Sequence, residues 1–257
     1  MNLTDTHAHL YWDSLKEDLD NLLQRAKEAG VSYIINIGVD VKTSKKALEQ
    51  AKKLTKIKTY STIGIHPHEA LRQAQGKLSE EIEKLEQIYR SNPEKVVGVG
   101  ECGLDYLSGD KNLQKQLFQA QINLAKKLNL PLIVHCREAW DDTIKMTKDY
   151  FGIYHCYSGQ PEITEKVLKT NFLISFAGNL TYPKNEYLRE AANLIPLERI
   201  ALETDCPFLP PQGKRGEQNE PSYILETAVL LADLKRIPIE DLAIQTTANA
   251  KNLLKIA

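Results

Sequence analysis

"LTDTHAHLYWDS", residues 3–14, sets Asp5, His7 and His9 at alternating positions in a run that otherwise reads as a short strand. Successive strand side chains point to opposite faces, so these three polar groups share one face. A core strand would place Val or Ile there. Seven further β-branched segments follow, so the strand candidates are 3–9, 31–38, 59–66, 95–102, 130–136, 152–158, 172–178 and 199–205.

Helical patterns lie between these segments. Leu15, Leu19, Leu22, Leu23 and Ala26 recur at helical spacing and are closed by Gly30. Leu113, Leu117, Ala120, Leu124 and Leu128 do the same and end at Asn129 and Pro131. Strand–helix alternation implies parallel strands with crossover helices. Eight such units in 257 residues predict an α/β fold, a (β/α)8 TIM barrel with outer helices. A doubly wound open sheet is the alternative that strand counting leaves open. No internal repeat or interdomain linker is visible, so a single domain over 1–257 is expected. The polar stretches 67–78 and 206–221 read as long loops.

With a formal net charge of −1, the chain carries no basic field that would advertise tight, nonspecific nucleic-acid binding. No apolar run approaches membrane-spanning length. The polar first residues lack a signal-peptide pattern. The four cysteines form no C-x-x-C pair, and a reduced, cytoplasmic protein is the simpler expectation. Nothing points to an obligate protein partner.

The six histidines are not scattered. His7, His9, His66, His135 and His155 fall at or near strand ends, and His68 lies two residues beyond one. Glu101 closes the fourth strand and Asp205 the eighth. In a parallel barrel these ends meet at one rim, where such folds carry their active sites. One histidine alone is more often a satisfied core or surface residue; seven groups at aligned strand ends describe a site. Imidazole plus carboxylate suits transition metals. His7, His9, Glu101, His135, His155 and Asp205 are too many ligands for one tetrahedral ion, whereas two carboxylate-bridged ions would use them all.

Each cysteine directly follows a proposed ligand: Glu101–Cys102, His135–Cys136, His155–Cys156, Asp205–Cys206. Alternation turns the thiols toward the helices, as packing groups. "GVGECG", residues 98–103, spells the dinucleotide-binding G-x-G-x-x-G. No acidic residue follows at the required distance, and Glu101 would meet the pyrophosphate, so the match is accidental. The small residues there serve close approach around Glu101.

Taken in order, "DTHAHL", "GIHPH", "VGECGLDY", "PLIVHCRE", "HCYSG", "ISFAG", "LETDCPFL" and "NEP" resemble the TatD family of metal-dependent deoxyribonucleases across essentially the whole chain. The resemblance implies a TIM-barrel hydrolase with two divalent cations, Mg2+, Mn2+ or Zn2+. His7, His9 and Asp205 would hold the first, His135 and His155 the second, and Glu101 would bridge them. The ions would activate a water and clamp a phosphate oxygen, with Asp205 orienting or deprotonating that water. Glu203, on the same face as Asp205, would hold a further ion, orient a ligand or simply hydrogen-bond in the core. His66 fits a substrate contact, and His68 solvated surface.

Arg137 would meet a phosphate or pair with Glu138. Family members often carry R-G-K-R-N-E-P where this chain has "RGEQNEP", residues 215–221. Lys214 and Arg215 remain as phosphate contacts, but Glu217 and Gln218 replace two cations and weaken the case for polynucleotide affinity. Tyr11, Trp12 and Tyr106 lie just past ligand-bearing strands, where aromatics cap a barrel core or stack on bases. DNA, bound transiently, is the expected substrate of an exonuclease-like reaction. Hydrolysis of another ester or amide, such as the aminoacyl ester of a mischarged tRNA, is the alternative.

Overall fold

In a computed structural model, described for residues 1–70 and 78–257, eight strands form one sheet in the order β1 to β8. They are β1 (Leu3–Ala8), β2 (Val31–Asn36), β3 (Lys58–Ile63), β4 (Val96–Asp105), β5 (Leu132–Arg137), β6 (Phe151–Tyr154), β7 (Asn171–Phe176) and β8 (Ile200–Leu202). Every neighbouring pair is parallel. The barrel closes through a parallel bridge between Ala8 and Cys206. The Asp205 N–H donates to the His7 carbonyl at 2.8 Å, and the His9 N–H to the Cys206 carbonyl at 2.9 Å. The expected (β/α)8 barrel is the architecture found.

The crossover helices form where their apolar periodicity and caps allow. Asp40 caps Val41–Lys53 by accepting from Thr43 N at 2.6 Å, and Asp110 caps Lys111–Leu128 through the N–H groups of Asn112 and Leu113. That second helix stops at Asn129, whose φ of 54° is the left-handed C-terminal conformation its sequence signal predicts. The segment expected as one helix from Leu15 divides into Asp13–Lys16 and Leu19–Glu28. Part of the expected loop 67–78 lies outside the described residues; Pro67–Glu69 is a 3-10 turn, and a helix begins at Leu78. Residues 206–221 contain a 3-10 turn, Gln212–Lys214. No helix among the described residues is long and apolar enough to cross a membrane.

Strand alternation divides the core into two layers. Ile34, Leu132, Val134, Tyr154, Phe172 and Ile174 face the helices. Tyr33, Ile35, Val97, Ile133, Ile153, Leu173 and Ala201 fill the barrel, which Leu254 and Ile256 of the C-terminal segment close from below. Counting on by twos from Ile133, Ile153 and Ala201 reaches His135, His155, Glu203 and Asp205. The apolar plug is therefore a floor beneath the polar rim. In β1 the register shifts between Asp5 and Ala8, the kind of irregularity that re-aims side chains at a barrel rim.

The strands stop earlier than alternation alone predicts. β6 ends at Tyr154 and β8 at Leu202, ahead of His155 and Asp205. The chain leaves the extended conformation there: φ is 44° at Cys156 and 58° at Asp205. Non-glycine residues held in that region store backbone strain, which clusters at functional sites. β4 instead runs on to Asp105, three residues beyond the expected end. "GVGECG" is strand throughout, and no helix opens from it. At Gly100 (φ 155°) a Cβ would collide with the Ile133 carbonyl, and at Gly103 (φ 137°) with the His135 carbonyl. Glycine at these two positions is what lets β4 lie against β5 around Glu101.

Candidate metal centre

Glu101 stands at the centre of the rim and is only 5% exposed. Its Oε2 faces His7 Nε2 at 3.4 Å and His9 Nε2 at 3.8 Å. Its Oε1 faces His155 Nε2 at 2.9 Å, His135 Nδ1 at 3.1 Å and His66 Nε2 at 3.4 Å. On the first side, Asp205 Oδ1 lies 3.6 Å from His7 Nε2 and 3.5 Å from His9 Nε2, and the two imidazole nitrogens are 3.2 Å apart. On the second side, His135 Nδ1 and His155 Nε2 are 3.3 Å apart. The donors fall into overlapping groups: His7, His9 and Asp205; His7, Glu101 and His155; His66, Glu101 and His135.

Ligands at bond lengths of about 2.0–2.2 Å around a tetrahedral cation lie about 3.3–3.6 Å from one another. The contacts among His7, His9, Asp205 and Glu101 Oε2 span 3.2–3.8 Å. Those among Glu101 Oε1, His135 and His155 are slightly tighter, at 2.9–3.3 Å. Both donor sets fit a divalent cation, and Glu101 offers one oxygen to each.

The electrostatics are those of carboxylates buried among imidazoles. Burial alone would push Glu101 up, but His155, His66 and His135 hold it well below the usual carboxylate range. Asp205 is likewise lowered, with His9, His7 and His155 outweighing burial. Burial works to depress His155, yet Glu101 and Glu203 carry it well above its ordinary value. Burial does depress His7, and the neighbouring His155 adds to the effect. An imidazole binds a metal only when unprotonated at the ligating nitrogen, so an ion entering this cage takes the place of protons.

Behind the donors stands a layer that fixes their orientation. His9 Nδ1 lies 3.1 Å from the Ile37 carbonyl and 3.1 Å from Tyr11 Oη. His155 Nδ1 faces Glu203 Oε1 at 3.4 Å, and that oxygen also accepts from Cys156 N at 2.6 Å. Glu203 is fully buried beneath the site, and its Oε2 has no hydrogen-bond partner among the described residues. Asp105 Oδ2 lies 3.3 Å from His135 Nε2 and 3.0 Å from His68 Nε2. Burial works against ionisation of Asp105, but His135, the Leu107 N–H and His68 hold its carboxyl well below the usual range. Such partners fix the tautomer and angle of a ligand.

The rim opens into a cavity of about 690 Å³ lined by His9, His66, Glu101, His135, His155 and Asp205 on its floor. Arg137, Ser158, Asn179, Trp12 and Phe208 stand around the walls and mouth. Arg137 is exposed and makes no ion pair with Glu138 or any other described residue. The structure thus brings His7, His9, His66, Glu101, His135, His155, Glu203 and Asp205 together and sets Arg137 above them.

Lys214 and Arg215 are not brought in. Lys214 lies over the Tyr223 ring, 3.8 Å from Glu217, and the Arg215 guanidinium sits 4.7 Å from the Tyr182 ring centroid. The 3-10 turn Gln212–Lys214 directs both outside the cavity lining. Tyr11 is buried against His9 and offers no face to a base. Tyr106 bonds Asp142 at 2.6 Å beneath Lys111. His68, expected as solvated surface, is half exposed but anchored to Asp105 and lines the cavity. Cys102 and Cys206 are buried packing groups, as alternation predicts. Cys156 is not: its positive φ turns it to the cavity wall, where its sulfur accepts from Asn179 at 3.6 Å.

Three residues escape the sequence reading. Asp105 shares the inner face with Glu101, two alternations on, and extending β4 by three residues would have found it. Phe208 hides in a stretch read as loop. Asn219 donates from Nδ2 to the carbonyls of Thr204 (2.8 Å) and Phe208 (2.5 Å), tying the loop after β8 to the turn that carries Asp205. Its neighbour Glu220, 6% exposed, accepts from Arg25 Nε and Nη2 and so fixes the same loop to helix Leu19–Glu28.

The TatD related DNase family model matches residues 4–255. The chain belongs to the TatD family. It is 39% identical over 261 residues to the uncharacterized metal-dependent hydrolase YabD of Bacillus subtilis, covering 99% of each chain. It is 32% identical over 268 residues to the Erwinia tasmaniensis protein named 3'-5' ssDNA/RNA exonuclease TatD, covering 100% of this chain and 98% of that one. Among solved structures, the TatD homologue YjjV of Escherichia coli K12 superposes with a TM-score of 0.90 at 30% identity, over 99% of this chain and 98% of the other. The TatD-type metal-dependent hydrolase expected from the motifs is the family found.

Proposed function

We propose that this TatD-family hydrolase is a phosphodiesterase that removes nucleotides stepwise from the ends of DNA, using two divalent cations. The observation that carries the proposal is Glu101, whose two oxygens each face a separate set of donors at ligand spacing. His7, His9 and Asp205 would hold one ion, and His135 and His155 the other. The ions would supply Lewis-acid polarisation of a phosphate oxygen and lower the pKa of water.

The chain's own residues do the rest. Asp205, held ionised by its histidine neighbours, accepts a proton from the attacking water. His66 faces the second donor set from the connection after β3 and meets the substrate there. Glu203 holds the His155 ring by its Nδ1 side, and Asp105 does the same for His135 at Nε2. Arg137, whose guanidinium has no ion-pair partner among the described residues, neutralises a phosphate at the cavity wall. All of these lie within residues 1–257, acting as one hydrolase domain. The free thiols fit a reducing compartment such as the cytoplasm.

A second reading, hydrolysis of an ester such as that of an aminoacyl-tRNA, draws support from one feature. Lys214 and Arg215 lie outside the cavity lining, so the loop after β8 presents little charge to a polynucleotide backbone. The deciding experiment incubates the protein with Mg2+ or Mn2+ and an end-labelled single-stranded oligonucleotide, beside a mischarged tRNA. A ladder of successively shorter products supports the first reading. An intact oligonucleotide with deacylated tRNA replaces it with the second.

A further inference from the structure

We propose that Trp12 and Phe208 form a seat for an unpaired nucleobase beside the candidate metal centre. The inference rests on the nucleic-acid reading above and adds how the end of the strand is gripped. Trp12 is 39% exposed and Phe208 42% exposed. Of the large apolar side chains left exposed among the described residues, only these two line the cavity. Exposed aromatic surface is costly to leave in water, so its concentration at the cavity mouth, beside the candidate metal centre, calls for an occupant with a flat apolar face.

The placement is fixed from both ends of the barrel seam. The Trp12 N–H donates to the His9 carbonyl at 3.1 Å, and the Phe208 N–H to the Asp205 carbonyl at 2.9 Å. Asn219 clamps the Phe208 carbonyl as well. The two rings meet edge to face, with centroids 5.2 Å apart and planes at 77°, an arrangement that leaves ring surface free for a third. Each centroid is about one ring contact from His9, at 6.2 Å for Trp12 and 5.9 Å for Phe208.

A nucleotide's base and phosphate are separated by a single sugar. A base resting on this pair therefore sets its phosphate over the donors that flank His9. Arg137, at the end of β5, stands halfway round the barrel from β1 and meets the strand from the other side. Stacking needs a base face that a paired, interior nucleotide does not offer. The seat accordingly selects single-stranded ends and tolerates any base, since every base has a π-face.

Calorimetric titration of the ion-loaded protein with 2'-deoxyadenosine 5'-monophosphate and with 2-deoxyribose 5-phosphate tests this without turnover. The nucleotide should bind about tenfold more tightly than the baseless sugar phosphate. Trp12→Leu and Phe208→Leu should each shrink that preference, and the double variant should erase it, with ion content unchanged as the check on folding. Equal affinity of the wild type for both probes, or a preference that survives in the double variant, overturns the seat. If the preference is present and lost on substitution while oligonucleotides stay uncut, the seat stands and the phosphodiesterase reading falls. If oligonucleotides are cut with no preference for a base, the reverse holds.

Discussion

Replacing Glu101 with glutamine removes one charge and almost no volume, and it strikes both donor sets at once. The carboxylate is 5% exposed and lies within 3.8 Å of five imidazole nitrogens. Taking one partner from a buried charged cluster costs about 3–5 kcal/mol. At about 1.4 kcal/mol per decade, that is about two to three and a half orders of magnitude in ion affinity. His135→Asn, by contrast, touches only the set around Glu101 Oε1. Equilibrium dialysis against Zn2+ or Mn2+, with metal content read by mass spectrometry, separates the two cases. Wild type should take up two ions per chain, His135→Asn should lose one, and Glu101→Gln should weaken both, with hydrolysis lost in step. A Glu101→Gln protein that gives up a single ion, or keeps both, would refute the sharing of that carboxylate.

Two further outcomes follow from the layer behind the donors. Burial pushes the Asp5 carboxyl up to about 7, against hydrogen bonds from Thr204 and His7 that favour its ionised form. An acid raised from 3.8 holds a proton in the folded state that the unfolded chain has already released, so stability falls as pH rises from about 4 to about 7. Each unit of difference is worth about 1.4 kcal/mol. Asp5→Asn keeps an acceptor for both N–H groups, and denaturant melts of the metal-free variant should lose that slope; an unchanged slope would assign it elsewhere. Asn219→Ala frees the Thr204 and Phe208 carbonyls and loosens the turn holding Asp205. Dialysis should show ion affinity down about 10–100-fold, as for other groups that orient ligands, and wild-type affinity would make Asn219 a purely local brace.

Much of this was legible in the sequence because barrels turn alternation into geometry. His135 and His155 lie two residues beyond Ile133 and Ile153, and a period of two carries the apolar plug directly into the site. What escaped lies where the period breaks or where a strand runs past its expected end. The positive φ at Cys156 turned an expected packing thiol to the cavity wall, and the continuation of β4 hid Asp105. Lys214 and Arg215 look like phosphate contacts by composition, yet a short turn spends them on tyrosine faces. Phe208 and Asn219 act through a loop whose path no local pattern encodes.

The pairing of two cation sites across one carboxylate is tested most directly by anomalous diffraction from crystals soaked in Mn2+. Two peaks should appear, one flanked by His7, His9 and Asp205 and the other by His135 and His155, with Glu101 between them. A single peak, or density remote from Glu101, would contradict it.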